Sequence, residues 1–175
     1  MSNVHTHAVS GFDTREFRRS LGKFATGVTV ITTRAGDGQP VGFTANSFAS
    51  VSLDPPLVMW NLARESVSMP HFERCSHYAI NVLAHDQLHL SLRFAKSAGE
   101  KFAALEFSDG AGGAPLLAGC CAWFECRNEH RYPGGDHLIF VGRVERFSRA
   151  ERPPLLYHGG HYGLFSRHPD SPERT

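Results

Sequence analysis

The sequence has no dominant charge and no long apolar run. Its 175 residues include 18 Lys and Arg against 17 Asp and Glu, so the formal net charge is +1 at pH 7. No block of like charge stands out, which argues against a nucleic-acid-binding surface and a polybasic membrane patch. No apolar run approaches the roughly 20 residues that a membrane-spanning helix needs, and the opening MSNVHTHAVSG lacks the apolar core of a secretion signal. We therefore expect a cytoplasmic protein that binds neither membrane nor nucleic acid.

Several motifs that would identify a catalytic class are also missing. There is no G-x-x-x-x-G-K-[ST] phosphate loop, no G-x-G-x-x-G between a strand and a helix, no G-x-S-x-G and no H-E-x-x-H. The four cysteines match no zinc pattern, and we expect them to be free thiols of a reducing compartment. His85 and His89 stand four apart on a predicted helix without a third ligand nearby, which favours exposed side chains over a metal site.

The length and composition of the chain are those of a globular protein with one domain. Hydrophobic residues make up 41% of the chain and charged residues 20%, which is ordinary for a folded core. Polar ends flank the apolar part of the sequence. We predict a flexible N-terminus over residues 1–11, one domain over 12–165 and a flexible C-terminal tail over 166–175.

The pattern of apolar residues predicts many strands and few helices. Asp13 is the expected cap of a helix that begins at Thr14 and ends near Phe24, with Glu16 as the capping-box partner. The other predicted helices are 66–74, 86–94 and a short one at 101–105. The predicted strands are 26–33, 41–44, 48–53, 57–62, 78–83, 122–131 and 137–147, with a turn at 132–136. Strands joined by turns predict a mainly β, antiparallel barrel or sandwich with peripheral helices.

The segment most indicative of function is GFTANSFASVSLDPPL, residues 42–57. It mixes short hydrogen-bonding side chains with small or apolar ones. A flavin ring needs such a mixture, because it combines a flat apolar surface with ring oxygens and nitrogens that accept or donate hydrogen bonds. Taken by itself, the segment also fits a polar turn between two strands.

Four runs together resemble the short-chain flavin reductases, the reductase components of two-component flavin monooxygenases. They are FRRSLGKFATGVTVITT, the T-A-N-S-F-x-S-V-S-L-D-P-P-L run, HYAINVLAHDQLHLSLRFA and GGDHLIFVGRV, and the resemblance extends from about Phe12 to Phe165. It implies a split-barrel FMN-binding fold of antiparallel strands and a homodimer with flavin near the subunit interface.

The resemblance also implies a set of flavin-binding residues. Those beside the ring and its ribityl chain would be Thr44, Ala45, Asn46, Ser47, Ser50, Val51, Ser52, Asn61, Leu62 and Ala63. Ser66 and Ser68 would reach the phosphate, Phe94 and Lys101 would close the phosphate or adenylate side, and Tyr162 would lie at the pocket mouth. His137 would face the nicotinamide as the catalytic residue. Each has a structural alternative, such as a helix cap for Ser66 or a core position for Phe94.

The implied activity is reduction of free flavin, FMN or FAD, by NADH or NADPH, with hydride passing from nicotinamide C4 to flavin N5. Reduced flavin would then leave for a separate monooxygenase. No acid, base or nucleophile is required for hydride transfer, which agrees with the absence of a catalytic dyad. The alternatives are an FMN-dependent oxidase or an FMN-binding electron carrier on the same barrel, and a histidine-rich heme or metal module. One departure from the family pattern is His161, where a basic residue such as arginine is common.

Overall fold

The structure is a computed structural model that describes residues 13–172. It contains three α-helices, one short 3₁₀ helix at Ala111–Gly113 and twelve strands. The α-helices are α1 Thr14–Leu21, α2 Met69–Arg74 and α3 Leu88–Phe94. The strands are β1 Thr26–Gly27, β2 Thr29–Arg34, β3 Pro40–Ala45, β4 Ala49–Leu53, β5 Pro56–Ala63, β6 His77–Val82, β7 Phe107–Asp109, β8 Pro115–Leu117, β9 Ala122–Gly134, β10 His137–Arg149, β11 Leu155–His158 and β12 His161–Leu164.

The sheets confirm the predicted mainly β, antiparallel architecture. Seven strands form the main sheet in the order β3-β2-β6-β9-β10-β5-β4. The order β1-β11-β12 makes a second sheet, and β7-β8 a third. The predicted strand 26–33 is divided at Val28, because β1 pairs with β11 of the second sheet while β2 pairs with β3 and β6 of the main sheet. Val28 is buried, and its carbonyl accepts a hydrogen bond from Leu83 N at 2.9 Å.

The helices are shorter than predicted. The Asp13 side chain caps α1 by accepting from Arg15 N at 2.7 Å, but Glu16 pairs with Arg19 and forms no capping box. α1 ends at Leu21, and none of its residues is buried. The predicted helix at 101–105 is wrong, since this segment forms turns. The predicted N-terminal segment 1–11 lies outside the described residues, and residues 166–172 of the predicted tail form no helix or strand.

An aromatic cluster fills one core, on the inner face of the main sheet. Trp60 stacks on Phe140 with ring centroids 4.2 Å apart, and Phe72 and Tyr78 meet Trp60 edge-on at 5.2 Å. All four side chains have no exposed surface. Gly142 makes this packing possible, because a Cβ at that position would lie 2.2 Å from the Tyr78 hydroxyl.

A second core lies under α3. Its buried residues are Val28, Val30, Leu83, Leu90, Phe94, Leu117, Cys120 and Leu155. Asn81 organises the layer beside it by donating to Val30 O at 3.0 Å and accepting from Leu117 N at 2.8 Å. The four cysteines are free, as predicted. Burial raises the pKa of the Cys120 thiol to about 12.

Candidate flavin site

The TANS run lies at the end of β3 and in the crossing to β4. Ala45 is buried, and its carbonyl accepts from Thr29 Oγ1 at 2.7 Å. The Ser47 hydroxyl accepts from Asn61 N at 3.1 Å and lies 3.3 Å from Asn61 O. The structure thus brings together two predicted parts of the site, the TANS run and the main chain of β5. Asn46 is exposed, and Leu62 is buried with its side chain in the core.

Helix α3 connects Thr44 with Tyr162. The Thr44 hydroxyl donates to Ser91 O at 2.7 Å, and Ser91 Oγ lies 2.8 Å from the Tyr162 hydroxyl. Two residues 118 positions apart in sequence are therefore joined through one buried serine. Ser91 is not among the residues predicted for the site. Its sequence signal is a polar residue on the helix face that also carries the buried Leu90 and Phe94.

A cavity of about 580 Å³ lies between the start of β3, the residues before α2 and the segment 97–103. We call it the first cleft. Lys101 enters it and donates from Nζ to the carbonyls of Gly42 and Phe94, both at 3.2 Å. Burial lowers the pKa of the Lys101 ammonium, because desolvation disfavours the charged form. Ser68 lines the same cleft, so two residues predicted for the phosphate side come together here.

The wall of the first cleft is continuous with the second core. The Phe94 side chain is fully buried and packs edge-on against Phe102 at 5.0 Å, so only its carbonyl reaches Lys101. A Cβ on Gly42 would lie 2.9 Å from the Phe94 ring and 3.2 Å from Ile31 O. Phe94 therefore shapes the cleft from behind and does not line it.

Arg93 holds the segment that carries Lys101. Its Nη2 donates to Glu100 O at 3.0 Å and also to Ala103 O. These carbonyls flank Lys101 on both sides in sequence, so one guanidinium fixes the local path of the chain. Arg93 is absent from the predicted site, since an arginine on a short amphipathic helix gives no signal beyond an ordinary polar face.

The two serines before α2 differ in role. Ser66 Oγ accepts from Ser68 N at 3.3 Å, which stabilises the turn before the helix. Ser68 is the N-cap by position, is buried, and its hydroxyl makes no hydrogen bond to the described residues. The helix begins at Met69, three residues later than predicted, and Pro70 lies in its first turn, where proline is tolerated.

His137 lies at the tip of the β9–β10 hairpin. Its Nδ1 is 2.7 Å from Asp136 Oδ1, and this hydrogen bond, together with the charge of the imidazole, holds the pKa of the Asp136 carboxyl below its ordinary value. Arg64 anchors the tip through its main-chain N–H to Asp136 O at 2.9 Å and its Nε to Gly135 O at 3.2 Å. His137 pairs in register with Ala63, so the tip lies beside the end of β5. Asp136 was not predicted, although it stands inside the GDH run.

The remaining predicted residues, Ser50, Val51 and Ser52, lie on β4, an edge strand of the main sheet. Val51 is 50% exposed and Leu53 is 93% exposed. Ser50, Val51 and Ser52 do not line the first cleft, and β4 presents the apolar side chains of Val51 and Leu53 to solvent.

Among residues 13–172, no three or more His, Cys, Asp or Glu side chains are grouped as metal ligands. His85 and His89 are both exposed. Over the same residues, no helix is long and apolar enough to cross a bilayer.

Residues 21–166 match the family described as "Flavin reductase like domain". The FMN reductase (NADH) SmoA of Agrobacterium fabrum is 46% identical over 167 residues, which cover 95% of each chain. The reductase component of a flavin-dependent trigonelline monooxygenase from Acinetobacter baylyi is 45% identical over 148 residues. The match covers 85% of this chain but only 48% of that longer relative. The solved structure of the NADH:FAD oxidoreductase SgcE6 of Streptomyces globisporus, in complex with NAD and FAD fragments, overlaps with a TM-score of 0.85 at 38% identity and covers 91% of this chain and 96% of that one.

Proposed function

Because the chain belongs to the flavin reductase-like family, we propose that it catalyses the reduction of free flavin, FMN or FAD, by NADH or NADPH. The observation that carries the proposal is the first cleft. It presents within one cavity a partly desolvated ammonium, Lys101, and the hydroxyl of Ser68, which makes no hydrogen bond to the described residues. A cation and a hydroxyl donor in a partly dry cleft fit the phosphate of a flavin nucleotide.

The wall beside the first cleft fits the ring and the ribityl chain of the flavin. Thr44 and Ser47 are fixed by hydrogen bonds to Ser91 and Asn61, so they need little reordering when a ligand binds. When bound, the flavin and a nicotinamide supply the hydride chemistry, and the protein supplies binding and orientation.

The proposed binding residues are those predicted from the sequence. They are Thr44, Ala45, Asn46, Ser47, Ser50, Val51, Ser52, Asn61, Leu62, Ala63, Ser66, Ser68, Phe94, Lys101 and Tyr162. Phe94 and Leu62 act through their main chain, because both side chains are buried. Ser66 acts by shaping the turn that presents Ser68.

We assign the nicotinamide side to His137. Asp136 engages Nδ1 of the imidazole, which leaves Nε2 as the nitrogen available to a ligand. A ring oriented in this way can hydrogen-bond the carboxamide of the nicotinamide and help to place it.

The proposed assembly is a homodimer that supplies reduced flavin to a separate monooxygenase in the cytoplasm. An exposed apolar edge strand favours pairing with another surface, and β4 carries the predicted flavin residues Ser50, Val51 and Ser52. A second copy at this edge would complete the flavin wall. Four free thiols agree with a reducing compartment.

The test measures NADH oxidation in air. The loss of NADH absorbance is recorded first without added flavin and then with FMN or FAD. We expect turnover that depends on added flavin and saturates with it. A flavin-loaded protein without NADH turnover would favour the electron carrier. Oxygen consumption by the flavin-loaded protein with a substrate such as pyridoxamine phosphate, without use of NADH, would favour the oxidase.

A further inference from the structure

The part of the first cleft that carries Lys101 is a segment without helix or strand. It covers residues 95–106, between the end of α3 and the start of β7. The backbone hydrogen bonds within residues 99–105 join partners only two or three positions apart. A segment held by local turns alone opens easily. Its position therefore depends on contacts that reach across to other elements.

Two side chains of the segment make such contacts. The Phe102 ring packs edge-on against Phe94 and Phe107, with centroids 5.0 and 5.5 Å away. The Lys101 ammonium donates to Gly42 O and Phe94 O, both at 3.2 Å. An ammonium has three N–H donors, so these two carbonyls leave Lys101 one donor for a ligand in the cleft. Both distances lie at the long end of the N–H···O range, so these bonds alone hold a flexible lysine stem loosely.

Arg93 supplies a tie to the segment that does not depend on Lys101. It lies in the last turn of α3, a helix that is fixed to the second core by the buried Phe94. Its Nη2 donates to Glu100 O at 3.0 Å and also to Ala103 O. One guanidinium on a fixed helix therefore binds carbonyls on both sides of Lys101 in sequence.

The backbone just after the second of these carbonyls is strained. Ala104 has a φ of 55°, in the left-handed region that favours glycine. The Ala103 carbonyl, which accepts from Arg93, belongs to the peptide bond that leads into Ala104. A residue other than glycine stays in this conformation only where surrounding contacts hold it. The bond from Arg93 is such a contact, and its loss should let the backbone around Lys101 relax.

We propose that Arg93 is a positioning residue for the flavin phosphate, because its bonds to the segment keep the remaining donor of Lys101 directed into the first cleft. The proposal rests on the proposed function, since it takes the first cleft as the phosphate site. Arg93 itself does not line that cleft, so it acts on a ligand through Lys101. A flavin without a phosphate should not depend on Arg93.

The experiment combines hydrogen exchange of the ligand-free protein with titrations of FMN and riboflavin. Exchange read by mass spectrometry should be faster over residues 95–106 in R93Q, because glutamine is too short to bind both carbonyls. We expect R93Q to raise the Kd of FMN about tenfold, the scale of one hydrogen bond to a charged group, and to change the Kd of riboflavin less than about twofold. R93K, which keeps a cationic donor at the same place, should recover part of the FMN affinity.

R19Q is the matched control. Arg19 also lies in the last turn of a short helix, but it pairs with Glu16 and does not line the first cleft. R19Q should change neither the exchange of residues 95–106 nor the Kd of either flavin. Steady-state kinetics should show a higher KM for FMN in R93Q with kcat nearly unchanged, the pattern of lost binding; a loss of folded protein would lower the apparent kcat instead.

Three results in R93Q would overturn the proposal: unchanged exchange of residues 95–106, an unchanged Kd of FMN, or an equal loss of affinity for FMN and riboflavin. FMN binding in R93K that is no better than in R93Q would contradict it as well. NADH turnover of the unaltered protein with added FMN tests the proposed function separately, since neither the exchange nor the titrations need NADH.

Discussion

The first cleft and the tip of the β9–β10 hairpin hold their polar groups in different ways. Lys101 is bonded to two main-chain carbonyls, and Gly42, which provides one of them, abuts the core residue Phe94. At the hairpin tip, Asp136 and His137 pair with each other, and the Asp136 side chain is 92% exposed. A change at the first cleft therefore extends into the core, whereas a change at the tip stays local. If the first cleft holds the flavin phosphate as proposed, that site is hard to alter without altering stability as well.

Removal of the Lys101 ammonium should give the largest effect. K101M keeps most of the apolar stem but leaves the proposed flavin phosphate without its cation. We expect the Kd of FMN to rise about thirtyfold, which corresponds to roughly 2 kcal/mol for a hydrogen bond to a charged group. Riboflavin, which lacks the phosphate, should bind the variant as it binds the unaltered protein. Fluorescence titration with both flavins measures the difference.

K96M is the control for K101M, because Lys96 is exposed and does not line the first cleft. A pH series gives a further check. The charged ammonium is the form that binds phosphate, and burial lowers the Lys101 pKa. FMN affinity should therefore fall as the pH rises through this lowered pKa, before an ordinary lysine would deprotonate, and riboflavin affinity should not follow. An alkaline loss of FMN affinity that persists in K101M would rule out Lys101 as its source.

One added methyl group can test the close contact between Gly42 of the first cleft and the core residue Phe94. G42A places a Cβ 2.9 Å from the Phe94 ring and 3.2 Å from Ile31 O, and Phe94 is fully buried with little room to move. We expect the free energy of unfolding to fall by about 1–2 kcal/mol, as for other overpacked sites. Urea unfolding measures it. G163A in β12, where nothing lies within 4 Å of the added Cβ, should cost much less, and equal losses would show that the close contact is not the cause.

The smallest effect should come from the hairpin tip. H137A removes the ring proposed for the nicotinamide while the tip stays anchored by the main-chain bond from Arg64 N to Asp136 O. We expect the KM for NADH to rise about fivefold, the scale of one ordinary hydrogen bond, with the Kd of FMN nearly unchanged. Steady-state kinetics and flavin titration separate the two. H89A, at an exposed histidine of α3, is the control, and equal losses of NADH use and FMN binding in H137A would contradict the assignment.

The sequence predicted the sheets better than the helices. Strands such as β2 and β6 were found because β-branched and aromatic residues are bounded by turn residues, and the flavin reductase fold implied by the motifs is confirmed by the overlap with SgcE6. The helix predicted at 101–105 is wrong. Tertiary bonds decide that segment instead, since Arg93 binds its carbonyls and Ala104 takes a positive φ of 55°.

The sequence predicts which residues belong to the site, and the structure shows which of them lie together. Ser47 with Asn61, and Ser68 with Lys101, are placed together by the fold. Ser91 and Arg93 could not be predicted, because their roles depend on which main-chain carbonyls and hydroxyls come near them in three dimensions. Sequence spacing indicates on which face of a helix or strand a residue lies, but it does not indicate which residue lies opposite across a cleft.

The Ser91–Tyr162 hydrogen bond has a consequence for dynamics. It fastens the small sheet of β1, β11 and β12 to α3, the same helix whose Ser91 carbonyl receives the Thr44 hydroxyl. Local opening of the β11–β12 hairpin would break this bond and release one side of the helix that holds the proposed flavin wall in place. We expect the rate at which flavin enters and leaves the proposed site to depend on fluctuations near the C-terminal end of the described chain, far in sequence from the residues proposed to contact it.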